Sequence, residues 1–349
     1  MKGRFGAWLP ACLAQALRPR PWPAGRPLTL LLAVVDHFEP YWAGADEAAA
    51  LSRLAAWETG LPRLCQGLAD ERGRPPQHTF FYPLEDYRPA VLDRLAALCA
   101  QGLGEVEVHL HHQGETSAQL EDMLAGYAET LHQRHGLLRR DPAGGRPTYA
   151  FIHGNWALDN SLPGGEWCGV NDELRVLARS GCYADFTLPS YPSPAQTRTV
   201  NAIYYATDDP ARPKSHDRGR RAAVGQAPAG DLLLVQGVLA LDWRRRKAGV
   251  LPRVENSDLS WSRPPDLERL ELWLRHAPAV AGADHVRFVK LSCHGAPEAN
   301  QAALLGEPAR GFFSGLIAWC RQRGVRLRFV NCWEMVQAIH ALERGEELS

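Results

Sequence analysis

The chain has 349 residues, 45% hydrophobic and 22% charged, which suits a globular protein of enzyme size and leaves room for one large α/β barrel. Lys plus Arg equals Asp plus Glu at 39 each, so charge gives no reason to expect nucleic acid or an anionic membrane as partner. No stretch approaches the ~20 apolar residues of a membrane span, no secretory signal is legible, and the eight cysteines form no C-x-x-C pair; these features predict a reduced, cytoplasmic protein.

Residues 1–27 read as an N-terminal extension and linker, with a short amphipathic helix over 5–17 and a Pro/Arg-rich run after it. From 28 to 349, strands and helices alternate. Residues 28–35 are a nearly continuous Leu/Val run, the pattern of a strand buried on both faces, and they lead into Asp36-His37-Phe38-Glu39-Pro40. A helix is expected over 46–70, then a strand over 78–83 followed by Glu85 and Asp86. A helix over 88–102, a strand over 105–111 and a helix over 117–138 come next. The strand over 149–153 runs into Gly154-Asn155-Trp156. A capped helix over 171–180 and a short strand over 183–187 precede a long irregular loop insertion, 190–230. Further strands are expected over 232–237, 285–291 and 325–330, with helices over 264–277, 309–323 and 332–345. The basic run 244–247 reads as a solvated turn. The alternation, with no compositional break halfway, predicts a single distorted (β/α) barrel of about seven parallel strands.

Ionisable and aromatic residues gather where these strands end. Alternation over 105–111 puts Val106, Val108 and Leu110 on one face and Glu107, His109 and His111 on the other. Two imidazoles side by side can grip a divalent ion; they can equally be polar strand-end residues that meet solvent. Asp36, His37 and Glu39 follow the first strand, although Asp36 also suits a helix N-cap. His153, Asn155 and Trp156 follow the fourth, and Cys293 and His294 the penultimate one. In a parallel barrel these ends surround one mouth. A carboxylate with two neutral imidazoles leaves open positions on a zinc-like ion. Cys293 reads as a buried structural thiol, and Trp42, Trp156 and Trp261 as packing residues or sugar-stacking platforms.

These segments resemble the polysaccharide deacetylase superfamily (NodB-like, carbohydrate esterase family 4). The resemblance rests on Val34-Val35-Asp36-His37-Phe38-Glu39-Pro40, Val106-Glu107-Val108-His109-Leu110-His111, Phe151-Ile152-His153-Gly154-Asn155-Trp156 and Leu291-Ser292-Cys293-His294-Gly295. It implies a distorted (β/α) barrel that removes an N- or O-acyl group from a carbohydrate or acylated amino sugar. It also implies a divalent cofactor, zinc or in its place cobalt or nickel. Asp36 then matches the general base and His294 the general acid. Asp36, His37, Glu39, His109 and His111 surround the metal, and His153, Asn155 and Trp156 line the substrate groove. The family's second aspartate falls on His37, with Glu39 nearby as a substitute, and its third-motif arginine falls on His153. Two other readings stay open: a catalytically degenerate glycan-binding barrel that assists polysaccharide biosynthesis, and an amidohydrolase of small non-sugar amides.

Overall fold

The computed structural model of the protein describes residues 5–18, 20–141 and 144–348; residues 1–4 and 19 of the expected extension lie outside this description. The strands are β1 (Thr29–His37), β2 (His78–Pro83), β3 (Gly104–Leu110), β4 (Arg139–Arg140), β5 (Pro147–His153), β6 (Cys182–Asp185), β7 (Ile203–Ala206), β8 (Arg220–Arg221), β9 (Leu232–Val235), β10 (Ala240–Lys247), β11 (Leu251–Glu255), β12 (Asp258–Leu259), β13 (Val286–Cys293) and β14 (Arg326–Phe329). The helices are α1 (Phe5–Leu17), α2 (Glu47–Cys65), α3 (Pro89–Leu98), α4 (Ser117–His135), α5 (Glu173–Ser180), α6 (Leu267–His276), α7 (Glu298–Leu305), α8 (Glu307–Arg323) and α9 (Cys332–Glu343).

Strand β1 is buried along its whole length, and its two faces serve two cores. Leu30, Leu32 and Val34 pack outward with Leu54 and Trp57 of α2. Leu31, Ala33 and Val35 pack inward with Phe81, Ile152 and Phe288. A Leu/Val run satisfies both faces at once, which is why it carries no polar alternation. The sheet runs β13-β1-β2-β3-β5-β6-β9, with every neighbouring pair parallel. Strand β14 joins β1 beside Thr29–Leu32, and β2 takes over from Val34 onward. The fold is thus the expected distorted (β/α) barrel.

Among the described residues no ladder joins β9 to β13, so the ring stays unclosed by backbone pairing. Lys290 of β13 reaches the segment that follows β6. Its buried ammonium donates to Leu188 O at 2.5 Å and also to Phe186 O. Burial lowers its pKa to about 8 against the opposing pull of Asp185. The 190–230 segment is anchored to the sheet by β7, antiparallel to β9.

Three sequence expectations change at their edges. Helix α3 stops at Leu98 and passes through a wide turn, because Gly102 takes φ 77°. Helix α4 begins on the Thr116–Gln119 capping box and stops at His135, where Gly136 adopts φ 66°. The basic run 244–247 is not a turn. It lies on β10, and the reversal falls at Ala248 and Gly249, with φ 49° and 74°. Arg244 and Arg245 pair with Glu271 and Asp266 at 2.6 and 2.8 Å. Helix α7 has no counterpart in the sequence reading; Glu298 at its start pairs with Arg53 of α2 at 2.8 Å. No helix among the described residues is long and apolar enough to cross a membrane.

Strands β2 and β3 approach so closely that a Cβ on Gly104 would lie 1.9 Å from His78 O, a backbone atom that cannot swing aside. Gly104→Ala is therefore expected to destabilise the fold by about 1–3 kcal/mol. A lower urea midpoint with an unchanged slope measures it.

Candidate metal centre

Parity along the strands decides which side chains reach the mouth. His37 shares the inward parity of Val35, and Glu39 follows two residues later. His109 shares the inward parity of Glu107, and His111 lies just past the end of β3. His294 lies just past the end of β13. These five side chains meet. The His37 ring stacks on His294 with centroids 4.5 Å apart and lies edge-on to His109 at 5.0 Å. The His109 and His111 rings are 4.6 Å apart.

The hydrogen bonds set the tautomers. His109 Nδ1 is 2.7 Å from Ile152 O, an atom that can only accept, so the proton is on Nδ1 and the Nε2 lone pair points into the site. His111 Nδ1 is 2.5 Å from Glu85 Oε1, another acceptor, and its Nε2 also points inward. Both Nε2 atoms face Glu39 Oε1, at 3.4 and 3.2 Å. The other oxygen, Glu39 Oε2, is buried and has no hydrogen-bond partner among the described residues. An orphaned carboxylate oxygen beside two inward-facing Nε2 atoms is a donor set that fits a divalent cation once both imidazoles are neutral. One ligand atom from each of the three residues lies within 4.8 Å of the others.

Without a cation, a proton on His111 holds the same groups together. Burial opposes ionisation of Glu39, but its hydrogen bonds to His109 and His111 outweigh that and hold its pKa well below the usual carboxylate range. Burial, together with His294 and His109, keeps His37 neutral well below the ordinary imidazole pKa. For His111, burial favours the neutral ring, yet its contacts with Glu39 and Glu85 prevail and raise its pKa to about 10.

The structure separates the remaining expected site residues from this group. Asp36, expected as base and ligand, has the opposite parity to His37 and faces the helices. Its Oδ1 accepts from Gly295 N at 2.6 Å, and its Oδ2 lies 2.9 Å from His78 Nε2. His153 is fully buried against His112 and Glu173, beneath the groove it was expected to line. Asn155 and Trp156 lie above it on the turn Gly154–Trp156, exposed and half-buried. Glu107 lies in the barrel interior, accepting from Ala150 N and Tyr183 Oη at 2.6 and 2.8 Å. Burial pushes the Cys293 thiol well above its ordinary pKa, as a structural role requires. Glu85 was not assigned a role from the sequence. Its place directly after a strand end was the available signal.

No protein-family model matches the chain, and no curated protein matches it. Solved structures do. One is the 4-alpha-glucanotransferase from Thermococcus litoralis, at 10% identity and TM-score 0.43, covering 89% of this chain and 40% of that one. Another is a GH57 branching enzyme from Thermococcus kodakaraensis, at 10% identity and TM-score 0.41, covering 89% and 71%. A third is the GH57-type branching enzyme from Pyrococcus horikoshii, at 10% identity and TM-score 0.42, covering 89% and 70%. This chain thus spans well under half the length of the first of them.

The resemblance to polysaccharide deacetylases is corrected on this finding, since the similar structures are by name a 4-alpha-glucanotransferase and two GH57 branching enzymes. Metal-dependent removal of an acyl group is withdrawn with it. The geometry gives a physical reason: Asp36, the base on which that chemistry relied, is on the far side of β1 from the histidine pair.

Gly154 holds the centre in place from behind. A Cβ there would come 2.2 Å from Cδ2 of His111. Gly154→Ala is expected to displace that ring and weaken zinc binding roughly 10- to 100-fold, the range seen when a ligand's support is lost. Competition with a chromophoric chelator measures it. Asp36→Ala should cost about 1–3 kcal/mol of stability by stranding Gly295 N and His78 while leaving zinc affinity unchanged. A matching loss of zinc affinity would refute the separation of the two groups.

Proposed function

We propose that the chain is a carbohydrate-active barrel whose mouth seats a glycan over a divalent-cation centre made by Glu39, His109 and His111. The observation that carries this reading is a pair of exposed indoles beside that centre. Trp42 is 48% exposed, with its ring 5.8 Å from His294. Trp261 is 68% exposed, and its backbone N–H donates at 2.9 Å to Asn300, which in turn donates to His294 O at 2.7 Å. Large indoles left in water beside a polar floor are platforms for the apolar faces of sugar rings.

Two imidazoles and one carboxylate suit zinc, with cobalt or nickel as substitutes. The cation would supply Lewis acidity toward a sugar oxygen or water in its open position. The protein's own contribution is orientation: Ile152 O and Glu85 aim the two imidazoles, and His37 stacked on His294 closes one wall. The eight cysteines are all unpaired thiols, which favours the cytoplasm as the setting.

Calorimetric titration of zinc-loaded protein with neutral oligosaccharides of the malto and chito series tests the reading. Trp42→Ala and Trp261→Ala should each weaken binding roughly 2- to 12-fold, from about 0.5–1.5 kcal/mol of ring contact. A double variant that binds as well as the parent defeats it.

The cation centre has a pH signature of its own. The zinc-free protein gains stability from protonated His111, in full below the ordinary imidazole pKa of 6.5 and lost as pH rises through about 10. Zinc must displace that proton, so its affinity should climb over the same interval. Thermal melts with and without zinc at several pH values should diverge as pH rises.

A further inference from the structure

A second group of side chains lies behind the mouth, and nothing in the proposed glycan site uses it. His112 follows β3, His153 ends β5, Cys168 lies in the loop before α5, and Glu173 is the first residue of α5. All four are buried. The His112 and His153 Nε2 atoms are 3.0 Å apart. They lie 3.2 and 3.3 Å from Glu173 Oε1. Cys168 Sγ is 3.4 Å from Glu173 Oε2.

Hydrogen bonding behind the rings turns this from a cluster into a site. His153 Nδ1 is 2.6 Å from Gly154 O, which can only accept, so the proton is on Nδ1. His112 Nδ1 is 3.2 Å from the Glu115 carboxylate and is fixed the same way. Two Nε2 atoms and a carboxylate oxygen therefore point at one another among buried side chains. Something positive belongs between them. A proton on His112 Nε2 reaches His153 Nε2 and Glu173 Oε1 and leaves the Cys168 thiol donating to Glu173 Oε2, whereas a metal ion takes one ligand atom from all four residues. Ligand atoms about 2.0–2.3 Å from a tetrahedral zinc stand roughly 3.3–3.8 Å apart; the imidazole and carboxylate atoms are at 3.0–3.3 Å, and one ligand atom from each of the four residues lies within 4.8 Å of the others.

We propose that His112, His153, Cys168 and Glu173 form a closed, structural zinc site, distinct from the open centre at the mouth. It has four protein ligands and no position for substrate. On binding, the Cys168 S–H bond breaks as the sulfur–zinc bond forms, and the proton is released to the solvent. The site clips the 154–172 segment onto the barrel. That segment carries five non-glycine residues with positive φ (Asn155 at 52°, Trp156 at 56°, Asp159 at 55°, Asn160 at 51° and Trp167 at 64°), a conformation that needs tertiary anchoring.

Cobalt separates the two sites, because the mouth centre offers no sulfur ligand. Full-length protein, unfolded and refolded with Co(II), should show thiolate-to-cobalt charge-transfer absorption in the near ultraviolet. Cys168→Ser should abolish that absorption and lower the melting temperature of the metal-loaded protein. A His109→Ala, His111→Ala variant should keep the absorption and about one metal per chain by mass spectrometry. If the double variant fails to fold, the parent's absorption alone decides. Refolded parent protein that takes up cobalt without the thiolate band, or takes up none, overturns the proposal, while the mouth centre stands or falls on its own zinc titration.

Discussion

The structure depends on how buried imidazoles are held. His109, His111, His112 and His153 each give one ring nitrogen to a fixed acceptor: Ile152 O, Glu85, Glu115 and Gly154 O. The opposite nitrogen, Nε2, is then aimed inward, where it can hold a proton or bind a cation. Burying an uncompensated polar atom is costly, so each Nε2 needs a partner. Carboxylates only accept, so Glu39 beside the first pair and Glu173 beside the second call for a proton or a cation between the facing acceptors. Two adjacent histidines, His111 and His112, thus serve two different carboxylates because consecutive residues past a strand end diverge.

The barrel supplies rigidity for this arrangement. Strand β1 is packed on both faces, and β3 and β5 pair with registers that bring His109 opposite Ile152 and Leu110 opposite His153. The acceptors that set the tautomers are mostly backbone atoms or residues at strand ends, so ring orientation follows from the sheet. Gly154 has no side chain, which lets the chain pass directly behind the His111 ring. On the opposite side of β1, Asp36 ties His78 and Gly295 together and so fixes the position of His294, one residue away. Its contribution to the mouth is through the backbone.

The barrel is open at the β9–β13 seam, and the buried ammonium of Lys290 is bonded to two carbonyl oxygens. Those bonds tie β13 to the segment after β6, and the 190–230 segment joins the sheet through β7, antiparallel to β9. The arrangement accounts for a parallel core that carries an antiparallel margin.

Periodicity in the chain was enough to determine the strands, most helices and the parallel α/β class, because burial on both faces of β1 demands a continuous apolar run and one-sided helices demand a 3.6-residue repeat. It also located His37, Glu39, His109, His111 and His294 at strand ends, hence at one mouth. What the sequence could not settle was direction. Asp36 and His37 are neighbours in the chain, and only the packing of β1 between two cores sends one outward to His78 and the other inward to His294. The family resemblance failed at this point, since a matching string of residues carries no record of which face each one takes. Glu85, His78, Cys168 and Glu173 stayed invisible as partners for the same reason: their roles come from distances across elements, and those exist only once the barrel has formed.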